Sequence, residues 1–144
     1  MNYISPEALI LSPLWNDGHA PALRTVYNWT HKAVIPSNRI NSRIWLNPEA
    51  VRNAMRELYW HWPTNIKCPG SLRSPSNCNQ LAGLSGIASM GIWQTPFAPC
   101  RRTINRMIAN GLIPYYSIGR RIFIQRDEVV YCLVTHTEVM AKSA

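Results

Sequence analysis

The chain matches itself at a fixed offset. Slid by 78 positions, Trp15 falls on Trp93, Ala20-Pro21 on Ala98-Pro99 and Arg24-Thr25 on Arg102-Thr103. Ile35-Pro36 then falls on Ile113-Pro114, Ile40 on Ile118, Arg43-Ile44 on Arg121-Ile122 and Val51 on Val129. Val26 with Ile104, Leu46 with Ile124 and Glu49 with Asp127 keep residue class at the same offset. Chance is a poor source of an ordered series that preserves apolar period and turn residues together, and such self-similarity marks a repeated structural unit. The 144 residues therefore read as two copies of one small unit, 1–62 and 80–144. Segment 63–79 holds three prolines, a glycine and several Ser and Asn residues. It reads as a linker with little regular structure, able to span tens of Å if flexible.

Each copy carries the same order of patterns. Val26, Trp29, Thr30 and Ala33 stand at helical spacing after Pro21, and Ile104, Met107, Ile108 and Gly111 take the same places after Pro99. Gly111 is placed to end its helix in a left-handed cap. Ile40 to Leu46 then predicts a short hairpin turning at Asn41-Ser42, and Tyr116 to Ile124 one turning at Gly119-Arg120. A further helix is predicted to start near Asn47-Pro48-Glu49 and near Arg126-Asp127-Glu128. Upstream, Pro6 to Leu11 predicts a first helix, with a counterpart around Leu81 to Met90. Trp15, Trp29, Trp45 and Trp93 occupy apolar repeat positions and are expected in the core. Trp60 and Trp62 are expected either to pack the copies together or to mediate self-association.

The order helix, helix, hairpin, helix is that of a winged helix-turn-helix. Ile113 to Val129 resembles the wing and following helix of the excisionase-type DNA-binding family. That family is related to MerR-type winged helices and includes phage excisionases and AlpA-like regulators. Arg102 to Ile108 is similar to its recognition helix, and Thr25 to Trp29 with Arg43 to Leu46 is a weaker form of the same pattern. Copy one departs from the pattern at the wing turn, where Asn41-Ser42 stands in place of a glycine. The expected fold is thus mainly α with small β-hairpin wings, as two tandem winged helix-turn-helix units.

The resemblance implies a recognition helix in the DNA major groove and a wing at the minor groove or backbone. Carried over, the recognition-helix candidates are Arg24, Thr25 and Asn28 in copy one, and Arg101, Arg102, Thr103, Asn105 and Arg106 in copy two, with His31 flanking. The wing candidates are Arg43, Arg120 and Arg121. Residue chemistry agrees independently. Arg can fork onto guanine O6 and N7, and Asn onto adenine N6 and N7. Arginine on a thin hairpin suits the enhanced negative potential of a narrow minor groove. The chain has 15 Lys and Arg against 7 Asp and Glu, a net charge of +8 that calls for a polyanionic partner. Copy two carries a net +4 and copy one +2, so copy two is expected to supply the greater electrostatic share. Two reading helices one groove repeat apart predict an asymmetric site of about 20 base pairs.

The function expected is a sequence-specific double-stranded DNA-binding protein of a phage or other mobile element. It acts as an excisionase (a recombination directionality factor), as a transcriptional regulator, or as both. An integrase or recombinase, or RNA polymerase, is the protein partner expected, with self-association on DNA. The competing class is a protein-interaction adaptor or host-takeover factor that reuses the winged-helix fold, supported by the high Trp and Tyr content. Paired carboxylates, a nucleophile–base set, a phosphate-binding loop and C-x-x-C pairs are all missing from the sequence, so an enzyme, a metal site and a cofactor are not expected. No apolar run approaches a membrane span and no basic-then-apolar leader opens the chain. The expected place is the cytoplasm of a bacterial host cell, at the nucleoid.

Overall fold

The computed structural model describes residues 2–16, 18–84 and 100–143. The first half opens with α1 (Pro6–Ile10), capped by Ser5, whose side chain accepts from the Ala8 N–H at 3.2 Å. Helix α2 spans Leu23–His31, and the hairpin of β1 (Asn38–Ile40) and β2 (Arg43–Trp45) follows it. Helix α3 (Pro48–Ala54) starts as its sequence predicts, with Pro48 at the first position and the Asn47 side chain accepting from the Glu49 N–H at 3.0 Å. It runs on into a π-helical turn, Met55–Tyr59, and then into β3 (Trp60–His61). The second half holds β4 (Leu81–Gly83), α5 (Arg101–Ala109), β5 (Tyr115–Ile118), β6 (Arg121–Gln125) and α6 (Arg126–Ser143). Helix, hairpin and helix therefore occur twice, in the order the repeat predicts.

The fold class departs from expectation. The chain is mixed α/β, with one two-stranded and one four-stranded antiparallel sheet among the described residues, and is not mainly α with small hairpin wings. The hairpin of copy two is the cause. Tyr116, Ile118, Phe123 and Ile124 are all buried, so both of its faces need cover and both of its edges find a partner. The sheet order is β3-β5-β6-β4, with Trp60 opposite Tyr116 on one side and Ala82 opposite Ile124 on the other. Leu81–Gly83, expected to open a helix, is instead extended as β4. Leu81 and Ala82 are fully buried there, and a strand satisfies their backbone against β6. The rest of that expected helix, with Trp93, lies outside the described residues.

The first half is woven into this sheet. The Leu81 N–H donates to the Leu14 carbonyl at 2.8 Å, and the Asn16 N–H to the Leu81 carbonyl at 2.8 Å. One apolar cluster combines Leu9, Trp15, Val26, Trp29, Val51 and Met55 with Leu81, Tyr116, Ile118 and Phe123. A second cluster lies within the second half, around Ile104, Ile113, Ile124 and Val129. Trp15 and Trp29 are core residues as expected, while Trp45 is half-buried. Segment 63–79 carries α4 (Gly70–Arg73) and a 3-10 turn at Pro75–Asn77. Arg56 donates to the Leu72 carbonyl at 2.8 Å and Arg52 to the Cys78 carbonyl at 3.2 Å, which fastens the segment to α3 and the turn after it.

A buried ion pair closes the joint. Arg56 Nη2 lies 3.4 Å from Glu128 Oε2, with both side chains almost wholly inaccessible. Trp60 Nε1 donates to Glu128 Oε1 at 2.7 Å and the Tyr116 hydroxyl to Oε2 at 2.8 Å. The Arg56 guanidinium lies over the Trp60 ring, 4.1 Å from its centroid. Burial pushes the Glu128 carboxyl above the usual carboxylate range, against the pull of Arg56 and the two ring donors. Trp60 therefore packs the halves together, and Trp62 does the same against Tyr131.

Candidate nucleic-acid interface

Helix α2 buries Val26, Trp29 and Thr30. At about 100° per residue, Arg24, Asn28 and His31 then fall within roughly 60° of arc on the opposite side. All three are exposed. Thr25 and Tyr27 stand on the two flanks of that ridge, and each flank meets a hairpin.

On the Thr25 flank lies β5–β6. Arg121 Nη2 donates to Thr25 Oγ1 at 3.3 Å. The turn itself rests on the helix: Gly119 has φ +61°, and a Cβ there would sit 2.9 Å from Trp29 Nε1. Glycine is needed on both counts. A cleft of about 480 Å³ opens beside the turn, where Arg101 and Asn105 of α5 meet Arg120 and Arg121, with His19 on its edge. On the Tyr27 flank lies β1–β2. Tyr27, Arg39 and Arg43 line a second cleft of about 310 Å³ together with Glu7. The Tyr27 hydroxyl donates to Glu7 Oε1 at 3.1 Å. The Glu7 carboxyl is held below the usual range, first by its own backbone N–H and then by Tyr27 and Ser5.

The residues predicted from sequence thus divide into four groups. Thr25, Arg101, Asn105, Arg120 and Arg121 are brought to one side of α2, and Arg43 to the other. Arg24 and Asn28 crown the ridge between them. Arg102, Thr103 and Arg106 are exposed on α5 but do not line either cleft. Arg121 and Arg43 had intramolecular carboxylates within sequence reach, Asp127 and Glu49. Among the described residues Asp127 pairs with Arg126 at 3.4 Å instead, and neither arginine forms an ion pair. Cys100 precedes α5 and is exposed; the Thr103 hydroxyl, 3.4 Å from its sulfur, and nearby backbone N–H groups hold its thiol below the ordinary value.

Sequence reasoning missed Arg39 and Tyr27. Arg39 aligns with Ser117 in the repeat, so a comparison of copies passes over it. Its signal was the two-residue period of the hairpin, which puts it on the ribbon face opposite Arg43. Among the described residues no three His, Cys, Asp or Glu side chains gather as metal ligands, and no helix is long and apolar enough to cross a membrane. Comparison with protein-family models, with curated proteins and with solved structures returned no match.

Proposed function

We propose that this chain binds double-stranded DNA, with α2 in the major groove and the two hairpins reaching the flanking backbones and minor grooves. The observation that carries the reading is the position of α2, an exposed Arg24–Asn28–His31 ridge with an arginine-bearing hairpin on each side. A helix about 10–12 Å across fits a groove about 12 Å wide. Arg24 and Asn28 have the side-chain forks that read guanine and adenine edges, and Arg43, Arg120 and Arg121 have the charge that phosphates attract. Helix α5 extends the basic surface through Arg101, Arg102 and Arg106. Because the β5–β6 turn is docked on Trp29, the copies offer one continuous surface of fixed geometry rather than two half-site readers swung on a tether. The resemblance to excisionase-type proteins supports a mobile-element role, as recombination directionality factor, transcriptional regulator or both. The protein partner in that role is an integrase or RNA polymerase.

The test is selection of bound duplexes from a random pool across a salt series. A compact motif is expected. Arg24→Ala and Asn28→Ala each relax the preference at one position by about 1–3 kcal/mol, whereas Arg106→Ala weakens binding uniformly. Retention without a motif, lost at moderate salt, overturns sequence-specific reading and moves the protein-interaction adaptor to first place.

A further inference from the structure

The two hairpins differ in what their tips are free to do. The turn of β5–β6 is seated on Trp29, whereas among the described residues β1 and β2 pair only with each other. The base of β1–β2 is anchored: Leu46 is fully buried, and it exchanges backbone hydrogen bonds of 2.8 Å with Ile4 in both directions. Beyond that anchor all three residues of β1 are exposed, as are Asn41 and Ser42 at the turn. Among them Ile40 is 52% exposed, next to the turn and directly opposite Arg43. Directly opposite residues share a ribbon face, so Ile40 and Arg43 lie on one face of the tip and Arg39 on the other. The nearest acid in the adjoining cleft is Glu7, which is engaged by the Tyr27 hydroxyl. The tip is therefore a thin ribbon with a cation on each face and a bare β-branched side chain beside Arg43, one residue before the turn.

We propose that Ile40 is a wedge that enters the DNA minor groove beside the α2 site and parts one base step, kinking the duplex. This rests on the DNA-binding reading above. The charge arrangement fits the minor groove, whose two walls are phosphate backbones: Arg39 faces one wall and Arg43 the other. Ile40 lies on the Arg43 face, one residue before the turn, and is carried toward the base stack as the tip enters, where burial of its side chain favours insertion and unstacking opposes it. The kink expected lies between about 20° and 90°, directed toward the major groove. That direction closes the groove around α2 and brings the opposite backbone toward Arg120 and Arg121.

The experiment uses a duplex of selected sequence, scanned with 2-aminopurine one position at a time and end-labelled with a donor–acceptor dye pair. The native protein is expected to raise 2-aminopurine fluorescence at one step and to shorten the end-to-end distance. Ile40→Ala is expected to abolish both signals and to weaken binding about tenfold, while Ile40→Leu keeps them. Arg43→Ala is expected to weaken binding while leaving the fluorescence rise at saturation. Binding with no step unstacked, or a rise that survives in Ile40→Ala, overturns the wedge and leaves the DNA-binding reading intact. Failure of the native protein to hold any duplex overturns both.

Discussion

The hairpins β1–β2 and β5–β6 descend from the same sequence pattern and end in opposite situations. Ile40 and Ile118 are equivalent in the repeat, yet one is 52% exposed and the other fully buried. Trp45 is half-buried and its equivalent Phe123 is 3% exposed. The residues around them decide this. Asn38 and Arg39 keep β1 in water, whereas their equivalents Tyr116 and Ser117 let β5 accept a strand and a core. Once β5–β6 is central in a sheet, its turn has one place to go, against Trp29. The same unit thus serves once as a free tip and once as a scaffold, and the exchange of Asn38-Arg39 for Tyr116-Ser117 accompanies the difference.

The strongest way to break the contrast is to release the docked hairpin at its buried joint. Glu128→Leu leaves the Arg56 charge uncompensated inside and is expected to cost about 3–5 kcal/mol in urea denaturation. Combining it with Arg56→Met removes both charges and is expected to recover most of that loss. A single change costing under about 1 kcal/mol shows that the apolar cluster alone holds the halves together.

The paired isoleucines come next. Ile118→Ala opens a cavity between the halves and is expected to cost about 2–5 kcal/mol. Ile40→Ala is expected to stay within about 0.5 kcal/mol, as surface changes do. Equal losses at the two positions erase the distinction between scaffold and tip.

A smaller effect tests the helices that precede the hairpins. Both α2 and α5 end in a left-handed residue, Ala33 at φ 57° and Gly111 at φ 69°. The N–H that follows each donates five residues back, Val34 to the Trp29 carbonyl at 2.8 Å and Leu112 to the Met107 carbonyl at 2.9 Å. The termination is the same, but alanine bears a Cβ where glycine does not. Ala33→Gly is expected to stabilise the protein by about 1 kcal/mol, and Gly111→Ala to destabilise it by a similar amount. Thermal denaturation of the two variants reads the signs directly.

What was legible in the sequence was local. Periods, caps and turn residues located α1, α2, α3, α5, both hairpins and the glycine that ends α5. These features depend on neighbours a few positions away, and Asn47, Pro48 and Gly111 state them outright. What was not legible depended on residues far apart. Leu81 to Gly83 carries no strong strand signal, and it is extended because β6 presents a free edge there. Arg56 and Glu128 sit on separate copies and read as ordinary solvated charges until Trp60 and Tyr116 close around them. For the candidate site, chemistry and helix face were readable, so Arg24, Asn28, Arg43 and Arg121 could be named as candidates; all four stand exposed, and Arg121 bonds to Thr25. The arrangement was not, because nothing in the repeat says that one copy's hairpin lies against the other copy's helix.

The smallest effects on folding fall on Arg43 and Arg121, and they sharpen the comparison most. Both are exposed, and the bond from Arg121 to Thr25 is a surface contact at 3.3 Å. Alanine at either position is expected to change stability by less than about 0.5 kcal/mol. Under the proposed DNA-binding reading each is expected to lower the salt slope by about one, and the double variant by about two, because arginines on opposite flanks of α2 would face different phosphates. If Arg43→Ala lowers the slope and Arg121→Ala does not, the docked hairpin is scaffold alone and the free hairpin carries the backbone contact. If both lower it, docking on Trp29 has set the second hairpin in place for the same task from the other side.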